Sequence, residues 1–288
     1  MPSIKAAPEP AGSIGPGPIV ISIQSQVVHG HVGNSAAAPP MQMLGLTVAA
    51  VPTTLLSNQP GYPTMRGRVL DADLVADLLL GVEERGLVEA AQVLVTGYLG
   101  SHEIGVAVAE FVDRARVRNP DLIYVCDPVI GDDDLGVFVS AGLPDLFRDR
   151  LVPEASIITP NQFELELLAG MPARDVGALQ MAVALLRRRT GRAVVTGCAL
   201  NDTPAGHVET IVCDGALVHR IATPRLPIRP SGTGDLFTGL LVAHLCNGGD
   251  LISASDKAVA GVFAVLQRTE ADRSYEMRIL SSDLKISG

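Results

Sequence analysis

Chemistry is most concentrated in 230-PSGTGDLFTGLLVAHL-245, where Gly232, Thr233 and Gly234 lead into Asp235 and an unbroken apolar helical pattern. A helix N-terminus offers free N–H groups and partial positive charge, which suit phosphate. An acidic residue in the first turn also stabilises the helix by opposing its macrodipole, so a simple cap is the plainest role for Asp235 alone. With a nucleotide γ-phosphate resting on the N–H groups of Gly232, Thr233 and Gly234, Asp235 would face an alcohol approaching in line. It could then accept the alcohol's proton. The N–H cradle would stabilise charge on the transferring group, and glycine lets the backbone come close and adopt φ > 0. This is not a Walker-type loop: no G-x-x-x-x-G-K-[ST] occurs, and no G-x-G-x-x-G follows the first apolar run.

Carboxylates form the second group. Asp127 ends an apolar run and opens an acidic loop with Asp132, Asp133 and Asp134. Glu164 falls one turn into a helix that opens at 159-TPN-161. Hard oxygen ligands at neighbouring strand ends suit Mg²⁺ that keeps waters and bridges phosphates. The competing role for Glu164 is a capping box with Asn161, and for most of the DDD run a solvated loop. His29 and His31 have no third ligand in view, so they are expected at a pocket rim rather than on a metal. Cys126, Cys198, Cys213 and Cys246 are widely spaced without a C-x-x-C pair, which suggests neither zinc nor a disulfide framework and fits a reducing cytoplasm.

These residues must be positioned by the elements between them. Strands are expected at 19–23, 46–51, 92–97, 121–126, 156–159 and 193–197, alternating with helices at 34–44, 71–84, 104–117, 161–168 and 175–189. That rhythm defines βαβ units and an α/β fold, with a mostly parallel sheet covered on both faces. The runs 208–213 and 216–221 flank Asp214-Gly215 as a hairpin, and helices at 235–246 and 251–268 follow. Ligands of such sheets collect at the carboxyl ends of the strands, and polar or glycine-rich segments stand at nearly all of them. Of the 288 residues, 47% are hydrophobic and none is Trp, so the core is aliphatic. A net charge of −9 excludes general nucleic-acid binding. The basic run 187-RRR-189 suits a solvated helix end. Residues 1–18 form a Pro/Gly/Ala-rich leader without a signal core, 19–288 one domain, and no apolar run is long enough for a membrane span.

The order of 24-QSQVVHGHVGNSAA-37, 55-LLSNQPGY-62, 97-GYLGS-101, 127-DPVIGD-132, 159-TPNQFELELLAG-170 and 232-GTGDLFTGLL-241 resembles the pyridoxal kinase family of the ribokinase-like superfamily. The resemblance runs from about Ile19 to about Arg268. GTGD and TPN-x-x-E are shared across the superfamily, whereas the QSQVV and VPTTLLSN segments point to the vitamin B6 branch. It implies a three-layer α/β/α fold, a homodimer, and ATP-dependent phosphorylation of the 5′-hydroxymethyl of pyridoxal, often also of pyridoxine and pyridoxamine. By this resemblance Asp235 is the base and Gly232, Thr233 and Gly234 the anion hole. Ser25 bonds the pyridine ring, with Val27 or Val28 and Thr53 lining the pocket. Asp127, Thr159, Thr196 and the stretch Thr223-Pro224-Arg225-Leu226 match nucleotide-site positions. Glu164, through water, organises Mg²⁺ together with Asp127, and a potassium-type ion is expected nearby.

Two positions depart from the family pattern. Gly61 stands where some members carry a histidine over the ring, which predicts a looser loop, and 58-NQPGYPTMRG-67 is the candidate lid. Phe138 replaces a frequent tyrosine after Asp127, leaving only a backbone contact. The competing functions are a hydroxymethylpyrimidine kinase of thiamine synthesis and a non-catalytic carrier of pyridoxal phosphate. A Gly-Gly-Ala pattern after the first strand would favour the former, and loss of Asp235 or the glycines the latter; neither is found. A sugar kinase would need acidic residues in the early loops that are missing here.

Overall fold

Apolar side chains alternating along each strand need cover on both sides, and the fold provides it. The computed structural model describes residues 17–186 and 191–280, so most of the expected leader and the run 187-RRR-189 lie outside the described residues. Eleven strands are described: β1 (Ile19–Val27), β2 (Thr47–Leu56), β3 (Gly67–Val69), β4 (Ala91–Thr96), β5 (Ile123–Cys126), β6 (Gly131–Asp132), β7 (Gly136–Val137), β8 (Ile157–Ile158), β9 (Arg192–Cys198), β10 (His207–Asp214) and β11 (Leu217–Pro224). Nine of them form one sheet in the order β11-β10-β9-β8-β5-β4-β1-β2-β3, while β6 and β7 make a separate small hairpin. Strands β1, β2, β4, β5, β8 and β9 run parallel, and β3, β10 and β11 join antiparallel to their neighbours.

The helices are α1 (Asn34–Met43), α2 (Ala72–Glu84), α3 (Leu87–Ala90), α4 (His102–Arg118), α5 (Leu143–Leu146), α6 (Gln162–Ala169), α7 (Val176–Leu185), α8 (Thr233–Cys246) and α9 (Leu251–Ala271). Period-two alternation sorts the strand residues into two cores. Ile21, Leu94, Tyr124 and Val195 pack with Leu79 of α2, Phe111 of α4, Leu165 of α6 and Leu179 of α7. Val20, Val93, Val125 and Val194 pack on the other face with Met41 of α1, Leu241 of α8 and Ala258 of α9. The result is a three-layer α/β/α sandwich. Among the described residues no helix is long and apolar enough to cross a membrane.

The expected elements are present, with three instructive shifts. Strands β1 and β2 continue to Val27 and Leu56, beyond the apolar runs that announce them. Their register shifts between Gln24 and Gln26, so one residue of β1 faces two of β2. This bulge falls on Ser25, Thr53 and Thr54, and bulges re-aim side chains beside active sites. In the hairpin, Asp214 pairs with Leu217, so the turn itself is Gly215-Ala216 and only Gly215 takes positive φ, at 64°. The short β3 and the β6–β7 hairpin carry too few residues to show a period.

Candidate active site

The parallel strands end on one edge of the sheet, and the sequence-derived residues gather there. Strand β11 reverses twice relative to β9 through β10, so Pro224 emerges at that same edge. Gly232 caps α8 with φ 85°, a conformation that favours glycine, and a Cβ there would collide with the His31 carbonyl. Gly234 faces open space, with no heavy atom within 4 Å of where a Cβ would stand. The first N–H groups of α8 have no intrahelical acceptor and point at this opening. Asp235 sits half-buried in the first turn, and its Oδ2 accepts a hydrogen bond from the Gly33 N–H at 2.8 Å. Burial raises its pKa to about 6, and the Gly33 bond works against that rise.

Two further carboxylates feel this charge. The Asp127 carboxyl, buried at the end of β5, accepts the Thr238 hydroxyl at 2.9 Å, and Thr238 lies 3.1 Å from the Thr159 hydroxyl. Desolvation, then the charges of Glu164 and Asp235, hold its pKa well above the usual range. Glu164 completes the expected capping box: the Asn161 side chain accepts from its N–H, and its Oε2 accepts from Asn161 N–H at 2.8 Å. It also serves the neighbouring loop, since Oε1 accepts from Ile130 N–H at 2.9 Å. Burial pushes its pKa to about 7 despite these donors, with Asp235 adding to the rise. Glu164 is therefore the cap expected as one of its two roles, and it lies in a cluster of carboxylates.

The remaining candidates fall around this cluster. Ser25 is buried, and the described residues offer its hydroxyl no hydrogen bond. Thr53 is fully buried and donates to the Tyr98 carbonyl at 2.6 Å. Val27 is buried whereas Val28 is 79% exposed. Thr196 bridges to Asn161 beside the end of β8. Thr223 and Pro224 close β11, while Arg225 donates its N–H to the Gly206 carbonyl at 2.8 Å and Leu226 follows in the loop. Phe138 spends its N–H on the Ile130 carbonyl, so only its carbonyl could serve a ligand. Gly61 is not loose: its N–H donates to Gln59 Oε1 at 2.6 Å and its carbonyl accepts the Tyr275 hydroxyl at 2.7 Å. The expected loosening fails because a distant side chain supplies the tether.

Sequence reasoning passed over several contributors. Thr238 follows Asp235 by three residues, one turn along the same helix face, and that spacing was its available signal. Gly33 acts through its backbone N–H and carries no side-chain clue. Asn34 anchors the preceding loop, accepting the Ser22 hydroxyl at 2.8 Å and donating to the Gln24 and Val51 carbonyls.

Sheet order, a glycine-built helix N-terminus and a carboxylate within it define a small-molecule kinase of the ribokinase-like class. Comparison with known proteins agrees. The family model described as phosphomethylpyrimidine kinase matches residues 41–276. A pyridoxal kinase of Granulibacter bethesdensis is 40% identical over 263 residues, covering 90% of this chain and 92% of that protein. A pyridoxine/pyridoxal/pyridoxamine kinase of Bordetella avium is 39% identical, covering 92% of this chain and 90% of the relative. The solved pyridoxal kinase of Leishmania donovani in complex with ADP and pyridoxine superposes with TM-score 0.82 at 29% identity, over 91% of this chain and 92% of that one. The chain belongs to the pyridoxal kinase family.

Proposed function

We propose that this protein transfers the γ-phosphoryl group of ATP to the 5′-hydroxymethyl of pyridoxal, with pyridoxine and pyridoxamine as further acceptors. The observation that carries this reading is Asp235, held by the Gly33 N–H at the mouth of an open helix N-terminus. The substrate hydroxyl oxygen attacks phosphorus, and its proton passes to an Asp235 carboxylate oxygen. The bond from the γ-phosphorus to the bridging oxygen breaks, leaving ADP. The N–H groups at Gly232–Gly234 stabilise charge on the transferring oxygens. With a pKa of about 6, Asp235 is mostly ionised near neutrality and competent as a base.

Solved relatives hold ADP together with B6 vitamers, which supports ATP as donor and a flat heteroaromatic alcohol as acceptor. Ser25, with its uncommitted hydroxyl, suits the ring, and Asp127, Thr159, Thr196 and residues 223–226 suit the nucleotide. The donor chemistry of Asp127 and Glu164 fits Mg²⁺, since among the described residues no cation figures in what shifts their charge. Among the described residues no three His, Cys, Asp or Glu side chains form a direct metal site. The ion would therefore be held largely by phosphates and water, with these carboxylates behind it. When bound, it neutralises charge developing on the phosphates.

The test is phosphate transfer from ATP to pyridoxal, with hydroxymethylpyrimidine alongside and Asp235→Asn as control. Turnover of pyridoxal that disappears in the variant supports the reading. Turnover of the pyrimidine alone moves the chain to thiamine synthesis, and binding of pyridoxal phosphate without turnover makes it a carrier.

A further inference from the structure

The segment after α9 returns across the site. Met277 and Ile279 are buried with Ala36 of α1 and with Leu236, the residue after Asp235. Arg278 donates its N–H to Thr269 Oγ1 at 2.9 Å, fixing the turn to α9. Two side chains of this segment then reach loops that the substrate site requires. The Tyr275 hydroxyl donates to the Gly61 carbonyl at 2.7 Å, and its ring meets Tyr62 edge-on at 4.8 Å. Glu276 Oε2 accepts the His31 N–H at 3.1 Å.

These contacts converge on the base. His31 lies two residues before Gly33, whose N–H holds Asp235. The 58–67 segment is tied at its other side as well, because Ser231, next to the anion hole, donates to Gln59 Oε1 at 3.1 Å. Gly61 also gains a reason to be glycine. Its φ is not positive, but a Cβ would stand 2.7 Å from both the Tyr275 hydroxyl and Gln59 Oε1. A side chain at 61 would compete for space with the Tyr275 hydroxyl and the Gln59 amide.

We propose that Tyr275 and Glu276 are positioning residues that latch the 58–67 segment and the His31 loop over the cleft, so that the C-terminal segment sets affinity for the heteroaromatic alcohol. The kinetic part of this proposal rests on the kinase reading above. The test uses the full chain with Tyr275→Phe, Gly61→Ala and the double variant. Kinetics with pyridoxal and ATP are measured beside amide hydrogen exchange of residues 58–67 in ligand-free protein. Loss of one hydrogen bond should raise the KM for pyridoxal roughly fivefold in each single variant. The double variant should rise by less than the two single effects combined, because both changes remove the Tyr275–Gly61 contact while Gly61→Ala also crowds Gln59. The KM for ATP and kcat should stay within about twofold, and exchange in 58–67 should rise. Glu276→Ala should lower kcat while Glu276→Gln, which keeps an acceptor for the His31 N–H, restores it. Equal shifts for ATP and pyridoxal, additive effects in the double variant, or unchanged exchange would each overturn the latch. If wild-type protein phosphorylates no B6 vitamer, the kinase reading fails and the exchange measurement alone decides the latch.

Discussion

At the scale of single residues, the site concentrates three carboxylates whose pKa values are all raised, Asp235 to about 6, Glu164 to about 7 and Asp127 well above its normal range. For catalysis, Asp235 must be ionised, so kcat/KM should fall as pH drops through about 6 and level off above it. Asp235→Asn should lower kcat by about 10²–10⁴-fold with substrate binding retained, as measured by steady-state kinetics and calorimetric titration. For stability the sign is opposite. A raised folded pKa means the native state binds protons more tightly than the unfolded chain. The resulting stabilisation is complete below the unfolded values near 4 and is lost as pH rises toward 6–7. Removing one charge should therefore help folding where Asp235 and Glu164 are both ionised. Asp235→Asn, which removes a charge that raises the Glu164 pKa and keeps an acceptor for the Gly33 N–H, should raise Tm at pH 8 relative to wild type by more than at pH 5; thermal melts at both values check this.

At the scale of elements, helix packing aligns the base with its partner. Gly239 of α8 lies against α1, where a Cβ would approach the Ala37 carbonyl at 2.6 Å. Since α1 begins just after Gly33, separating the helices also separates the Gly33 N–H from Asp235. Gly239→Ala should cost about 1–3 kcal/mol in a denaturant melt and reduce kcat together with stability. The α6 cap gives a contrasting case. Asn161 accepts the Glu164 N–H at 2.8 Å and donates to the Gly131 carbonyl at 2.8 Å. Asn161→Ala should cost about 1–2 kcal/mol and weaken nucleotide binding, because the loop after Asp127 loses one of its anchors.

At the scale of the whole molecule, the sheet edge next to β3 keeps apolar surface exposed, with Met65 at 41% and Leu74 at 45%. Such residues near a short edge strand suit burial against a second copy, the homodimer that the family resemblance implies. Sedimentation equilibrium should then return twice the 30.1 kDa chain mass. Charge substitution of Leu74 and Leu78 should bring it to one copy.

The alternation of short apolar runs with amphipathic ones determined the α/β class from sequence, because a strand buried on both faces has no other composition open to it. Gly232–Asp235, Asp127 and Glu164 were legible too, because each stands just past an apolar run where such sheets place their ligands. Tertiary structure alone decided which groups act together. The Ser25–Thr53 bulge arises from register between two strands, and Thr238 reaches Asp127 across 111 positions of chain. Gly33 contributes only a backbone N–H, and local sequence does not encode where that bond points. Gly61 suggested a loosened loop because its partner Tyr275 lies 214 residues away. Local pattern fixes elements through periodicity and steric preference, whereas contacts between loops depend on the packing that brings distant segments together.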